Sequence, residues 1–417
     1  MKSSLAWVSV LCLSMFVWRV HRPAGYFLKK RESPVAFYAH GNTDSHCELK
    51  TAPDFKFCED SALWDIHDSV TNSSRHEIVV SCDPGRGDWN TVMGPLRNPD
   101  PHGALWLLSA EKDAAPRRIT FKNYPPNHDF HPLGIAISPS TGNAPSNLFA
   151  INHARKRTVI EQFTISPASP GVATHVRTIS SSYFVSPNSI ALTSPSSFYV
   201  SNDHLMTRRL PRTVRWVSHI TLDPELTART PILEHRFAAS FIPFANGISL
   251  SPSGFQLAVA SSTPAEVRLY SRNPTTNALA RTHSVPVPFS PDNLDFDETG
   301  TLVVSGHPHF PSLVKVKNDP VNAKAPSWVV AVNSTTHNVE TLFSERRNIL
   351  FIIRDRPARR LYGCALREWI VRDWGARLPS IVIVNDTLSY DGIQNSCVYI
   401  HSKEYRDFGS LHTSSTK

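Results

Sequence analysis

The chain has 417 residues, 41% of them hydrophobic and 19% charged, with 33 Pro, 17 Gly and a formal net charge of +8. That balance supplies a sizeable core and excludes a charged coiled coil, a collagen-like chain and an acidic disordered protein. Lys and Arg are scattered rather than gathered in one basic stripe, which argues against nucleic acid as a partner and leaves a loop-rich, mostly β globular protein.

At the start, Met1-Lys2-Ser3-Ser4 puts a positive charge ahead of the apolar run from Leu5 to Trp18, closed by Arg19, His21 and Arg22. The run is shorter than the roughly 20 residues a spanning helix needs, and no small-x-small site precedes Arg19. Residues 1–22 therefore read as an export signal, either cleaved or kept as a membrane anchor. The sequons Asn72-Ser73-Ser74, Asn333-Ser334-Thr335 and Asn385-Asp386-Thr387 agree with the secretory route and an extracellular or membrane-anchored glycoprotein. With Cys12 inside the signal, Cys47, Cys58, Cys82, Cys364 and Cys397 remain, without zinc-ligand spacing. One or two structural disulfides and at least one unpaired thiol are expected.

From residue 133 a strand, turn, strand pattern recurs. Leu133-Gly134-Ile135-Ala136-Ile137, Asn188-Ser189-Ile190-Ala191-Leu192, Asn246-Gly247-Ile248-Ser249-Leu250 and Asn293-Leu294-Asp295-Phe296 each run into a Ser, Pro, Gly or Asp turn and then a second β-branched or aromatic run. Gly134, Ser189, Gly247 and Leu294 are spaced by 55, 58 and 47 residues. Periods near 50 with several strands each predict a β-propeller, and residues 40–345 divided by that period predict six blades. A β-sandwich has no reason to repeat in this way.

In a propeller, the residues that open each innermost strand converge on one mouth of the central channel. Those positions hold Asn188, Asn246, Asp292 and Asn293, with Glu59-Asp60 where an earlier blade would begin. Carboxylate and carboxamide oxygens without thiolates describe a hard-cation site suited to Ca²⁺. Each residue alone is equally a strand-opening turn former; the shared phase distinguishes them. Beyond residue 346 the pattern stops: nine Arg and no Lys fall between Arg346 and Arg377, so 346–417 reads as a divergent C-terminal segment or an incomplete last blade.

Between His46-Cys47-Glu48-Leu49 and Glu340-Thr341-Leu342-Phe343 the chain resembles the serum paraoxonase/arylesterase family, calcium-dependent six-bladed propellers that hydrolyse lactones and aryl esters. Phe57-Cys58-Glu59-Asp60, Pro132-Leu133-Gly134-Ile135, Ile151-Asn152-His153, Ser201-Asn202-Asp203-His204, Phe244-Ala245-Asn246-Gly247-Ile248, Asp292-Asn293 and Gly306-His307-Pro308 carry the resemblance. It implies a catalytic calcium on Glu59, Asn188, Asn246, Asp292 and Asn293. It implies a second, structural calcium on Asp60 and the Ile135 carbonyl, weakened because Ser189 stands where the family has a carboxylate. It implies a histidine dyad whose second member is His153 and whose first falls at Leu133, with His307 a further family histidine; His131, two residues before Leu133, is the candidate replacement. Otherwise a carboxylate by the metal, Asp292 or Glu59, or the ion itself activates water. The family also pairs the position of Cys47 with a cysteine in the closing strand, here Cys364 or Cys397.

No G-x-S-x-G elbow, phosphate-binding glycine loop or H-E-x-x-H helix is present, and Arg86-Gly87-Asp88 reads as a loop. Two functions follow: a calcium-dependent hydrolase of aryl esters or lactones, and a non-catalytic calcium-stabilised propeller that binds a ligand or protein, favoured by Leu133.

Overall fold

The computed structural model describes residues 52–109, 114–204, 207–209, 235–318 and 325–345 almost throughout, a few isolated positions elsewhere, and the backbone of several further strands. All but a few residues of the N-terminal signal or anchor lie outside the described residues, and no described helix is long and apolar enough to cross a membrane.

Strands β1 (Phe37–Tyr38) and β2 (Cys47–Lys50) precede the first large sheet. That sheet is built from β3 (Cys58–Asp68), β4 (Ser73–Cys82), β5 (Ala104–Ser109) and β6 (Arg117–Arg118). The second sheet takes β7 (Thr120–Lys122), β8 (Pro132–Ile137), β10 (Ser146–Asn152), β11 (Val159–Ile165) and β12 (Val172–Ile179), while the short β9 (Ser140–Thr141) reaches back to pair with β3. Three further sheets follow in chain order. The first holds β13 (Pro187–Ser194), β14 (Ser197–Asn202), β15 (Leu226–Arg229) and β16 (His235–Ala239). Next come β17 (Ala245–Leu250), β18 (Gln256–Ser261), β19 (Glu266–Arg272) and β20 (Leu279–Pro286). The last holds β21 (Ser290–Phe296), β22 (Thr301–His307), β23 (Ser327–Asn333) and β24 (Val339–Glu345), with the single described long helix α1 (Phe310–Asn318) between β22 and β23.

Each sheet is built on a four-stranded antiparallel meander, with β7 added parallel to β12 and β9 parallel to β3 at the edges, and β3, β8, β13, β17 and β21 pack against one another in sequence. This is an all-β propeller, as the repeat predicts. Strands such as β18 are buried on both faces: Leu257 and Val259 join the core shared with Ala191, Tyr199 and Ile248, whereas Ala258 and Ala260 join Leu294, Phe296 and Val304. Double burial explains the near-continuous apolar runs, each buried Leu, Val or Phe contributing roughly 1.5–3 kcal/mol.

Glycine sets how closely inner strands approach. A Cβ on Gly134 would lie 2.1 Å from the Asn188 carbonyl oxygen, and one on Gly247 2.7 Å from Asn293 Cα. These contacts account for the Gly in the recurring motif better than any turn requirement.

The ends of the chain meet through strands. β1 extends the last meander beside β24, and β2 runs parallel to β27 (Ile381–Leu388), which pairs with β28 (Gly392–Val398) after the hairpin of β25 (Phe351–Arg354) and β26 (Leu361–Cys364). A disulfide joins Cys58 and Cys82, cross-strand partners on β3 and β4, a pairing the family resemblance did not supply. Side chains of Cys47, Cys364 and Cys397 lie outside the described residues.

Candidate functional site

One backbone device recurs at the start of every inner strand. The ladder register slips between Cys58 and Asp60, between the Pro132 and Ile135 pairings, between Pro187 and Ile190, between Ala245 and Ile248, and between Pro291 and Leu294. Such a bulge frees residues from the ladder and re-aims their side chains. The freed residues are Glu59, Leu133 with Gly134, Asn188 with Ser189, Asn246 with Gly247, and Asp292 with Asn293. Four of the five places therefore present oxygen, and the fifth presents Leu133.

The oxygen-bearing residues are linked. Asn246 Nδ2 donates to Asp292 Oδ1 at 2.5 Å, and Asn293 Nδ2 donates to the Glu59 carbonyl at 3.2 Å. Burial pushes the Glu59 carboxyl well above its ordinary range; Arg86 opposes the rise, and the charges of Asp60, Asp292 and Asp203 add to it. Asp60 is pushed up to about 7 by burial, against hydrogen bonds from the Ile135 and Ser61 amides and with help from Asp295 and Asp292.

The side-chain carbonyls of Asn188 and Asn246 are both buried without a hydrogen-bond donor. An orphaned buried carbonyl costs roughly 1–3 kcal/mol, and two of them on equivalent bulges beside crowded carboxylates are the arrangement a hard cation resolves. Among the described residues no three His, Cys, Asp or Glu side chains form a metal cluster by themselves. The donor set here is half amide, which fits calcium and not zinc.

The histidines fall into two groups. His307 Nε2 stands 3.0 Å from Asp292 Oδ2, while its Nδ1 is buried and unpartnered. With the Nε2 proton on Asp292, Nδ1 carries a free lone pair, the geometry of a base oriented by an acid. His153 is different: Nδ1 bonds the Thr91 hydroxyl and Nε2 donates to the Pro187 carbonyl at 2.8 Å. Burial foremost, with the positive charge of Arg209, holds His153 down at about 4, so it is neutral and fully engaged.

His131 does not reach the ring as a free base. Its side chain is 2% exposed, with Nδ1 3.0 Å from Asp83 Oδ2 and Nε2 3.4 Å from Asp129 Oδ2. Burial alone would lower its pKa, but the two carboxylates outweigh burial and raise it. Two carboxylates thus brace the ring in the loops, although its Nε2 has no hydrogen-bond partner. Asp83 lies 48 residues upstream, a partnership that no local pattern announces.

At the second, deeper position Ser189 Oγ accepts the Ile248 amide at 3.3 Å, and Asp60 Oδ2 accepts the Ile135 N–H at 2.8 Å. Asp295, unremarked in sequence, bonds Ser249 Oγ and lies close enough to raise Asp60, so a second carboxylate does stand at this depth. Asp203 takes the Ser186 hydroxyl and faces His204 Nδ1 at 3.1 Å, supporting the ring from outside.

The family model described as Arylesterase matches residues 95–350. Serum paraoxonase/arylesterase 1 of Homo sapiens is 28% identical over 181 residues, 43% of this chain and 50% of that protein. Serum paraoxonase/lactonase 3 of Oryctolagus cuniculus is 22% identical over 260 residues, 60% of this chain and 70% of that protein. The chain spans about half the length of the first curated relatives it matches. A luciferin-regenerating enzyme of known structure aligns over 82% of this chain and 91% of that chain at 11% identity and a TM-score of 0.44, too loose a likeness to carry an argument.

Proposed function

The chain belongs to the arylesterase family, and from that premise we propose that it is a calcium-dependent hydrolase of carboxylic esters, aryl esters or lactones. The observation that carries the reading is the pair of buried, donorless carbonyls of Asn188 and Asn246 on equivalent bulges of neighbouring inner strands, with Asn246 hydrogen-bonded to Asp292. Glu59, Asn188, Asn246, Asp292 and Asn293 would hold the catalytic ion; Asp60 and Ile135, with Asp295 making up for Ser189, would hold a weaker second one. When bound, calcium supplies Lewis-acid polarisation of the scissile carbonyl.

The protein's own residues divide the remaining work. His307 accepts the proton of the attacking water at Nδ1 and returns it to the leaving oxygen, while Asp292 holds the ring and stabilises its charged form. His153 and His131 hold the loops around this pair. The competing reading, a non-catalytic calcium-stabilised propeller, draws on Leu133 at the fifth bulge and on the engaged state of His153.

The same reading completes the ring. Strand β26 lies against both β3 and β21, which supports a sixth blade drawing on β2 and on β25–β28, strands divided between a three-stranded and a two-stranded sheet. Exposed Asn72, on a hairpin turn, and exposed Asn333, at the end of β23, suit glycans on a secreted or membrane-anchored protein.

The test is hydrolysis of phenyl acetate and dihydrocoumarin by the full-length chain made through a secretory pathway, with calcium, with chelator, and for Asn246→Ala. Turnover should fall at least about 100-fold in the latter two cases. Turnover that survives chelation contradicts the calcium mechanism, and an inert wild type favours the binding propeller.

A further inference from the structure

The tripeptide Arg86-Gly87-Asp88 is more than a loop. Arg86 sits on a turn fixed by its own amide to the Asp83 carbonyl at 3.0 Å and by Gly85 N–H to Asp83 Oδ1 at 3.0 Å. One guanidinium nitrogen, Nη2, donates to the Pro132 carbonyl at 2.6 Å, beside Leu133. Arg209 does the same just beyond β10: Nη2 donates to the Ala154 carbonyl and Nη1 to Thr158 Oγ1 at 3.0 Å, while its Nε is buried without a partner. Pro132 pairs with Asn152, two residues before Ala154, so the two anchoring carbonyls belong to neighbouring segments.

Among the described residues neither arginine has a carboxylate at ion-pair distance; Glu59, whose ionised form Arg86 favours, is assigned to the calcium, and the other acids nearby are engaged elsewhere. Asp83 and Asp129 clamp His131, Asp129 also accepting the Arg155 amide. Asp203 takes Ser186 and His204, and Asp292 takes Asn246 and His307. Arg86 is anchored on the Pro132 carbonyl, next to Leu133, and both guanidinium charges reach His153. A guanidinium offers five donors and matches a carboxylate in two-point contact; here most of those donors have no acidic partner in the chain.

We propose that Arg86, with Arg209 beside it, is a specificity-determining anion site, selecting esters or lactones that carry a carboxylate remote from the scissile bond. This rests on the hydrolase reading for its substrate class, whereas anion binding does not.

The experiment has a kinetic and a binding arm, both on the full-length secreted chain with calcium. In the first, kcat/KM for 4-acetoxybenzoate is divided by that for phenyl acetate in wild type, Arg86→Gln and Arg86→Lys. The wild-type ratio should be about tenfold or more in favour of the charged ester, should collapse toward one in Arg86→Gln through the KM of the charged ester, and should be partly restored in Arg86→Lys. In the second, calorimetry compares benzoate with benzamide; benzoate should bind about tenfold more tightly in wild type and not in Arg86→Gln. Should Arg86→Gln fail to fold, as judged by its melting curve, Arg209→Gln carries both arms with a smaller loss of ratio. A wild type that treats the two esters and the two benzoyl ligands alike, or an Arg86→Gln that loses both esters equally, overturns the proposal. Arg86-dependent benzoate binding without ester turnover would sink the hydrolase reading and leave the anion site standing.

Discussion

The two sides of the channel mouth use one backbone device for opposite ends. On β13, β17 and β21 the bulge exposes Asn188, Asn246 and Asp292, and there the chain leaves polar atoms unsatisfied: two amide oxygens and His307 Nδ1. On β8 the equivalent bulge presents Leu133; His153 is engaged at both ring nitrogens by Thr91 and Pro187, and His131 is held at Nδ1 by Asp83, with Nε2 3.4 Å from Asp129 and without a hydrogen-bond partner. Buried polar atoms are normally paired, so the donorless amide oxygens of Asn188 and Asn246 mark where a cation belongs, whereas the carboxylates facing His131 and the two partners of His153 hold structure. Histidine type alone says nothing of this; what each ring nitrogen faces does.

The sharpest way to break that division is to remove one histidine from each side. His307→Gln should cut kcat for phenyl acetate by about 10²- to 10⁴-fold, the usual worth of a general base, while the rise in melting temperature on adding calcium persists. An unchanged kcat would place the base elsewhere.

His131→Gln should do the reverse, lowering stability by about 3–5 kcal/mol because it leaves two carboxylates facing a neutral amide, with kcat largely kept in the folded fraction. The pH dependence sharpens this. His131 has a raised pKa, so its stabilisation is fully present below the unfolded value of about 6.5 and is lost as pH rises through its folded value. His153 is depressed to about 4, so its contribution is present above about 6.5 and is lost as pH falls toward 4. Melting temperature followed between pH 4 and 9 should therefore fall at both ends in wild type, and the alkaline fall should flatten in His131→Gln. An alkaline limb that stays as steep would mean that His131 is not the charged partner of Asp83 and Asp129.

The meanders and the ring positions were legible in sequence because both follow from phase: runs such as Leu257 to Ala260 recur with their turns, and Asn188, Asn246 and Asp292 keep one place relative to them. The bulges that turn these residues into the channel were not legible, since a one-residue register slip leaves no compositional mark. Nor were partners supplied by distant loops, such as Asp83 for His131 or Pro132 for Arg86. The Cys58–Cys82 bridge and Asp295 were missed for a related reason, as cross-strand and cross-blade neighbours emerge only once register is known.

The most direct test of the central claim is the melting temperature of the secreted full-length chain with excess chelator and then with saturating calcium, for wild type, Asn188→Ala and Asn246→Ala. The account predicts a calcium-dependent rise of several degrees in wild type, equivalent to about 2.7 kcal/mol at a hundredfold excess over Kd, that is reduced or absent in both variants. Identical melting of wild type in chelator and in calcium would contradict it, because the orphaned oxygens of Asn188 and Asn246 would then have no cation to explain them.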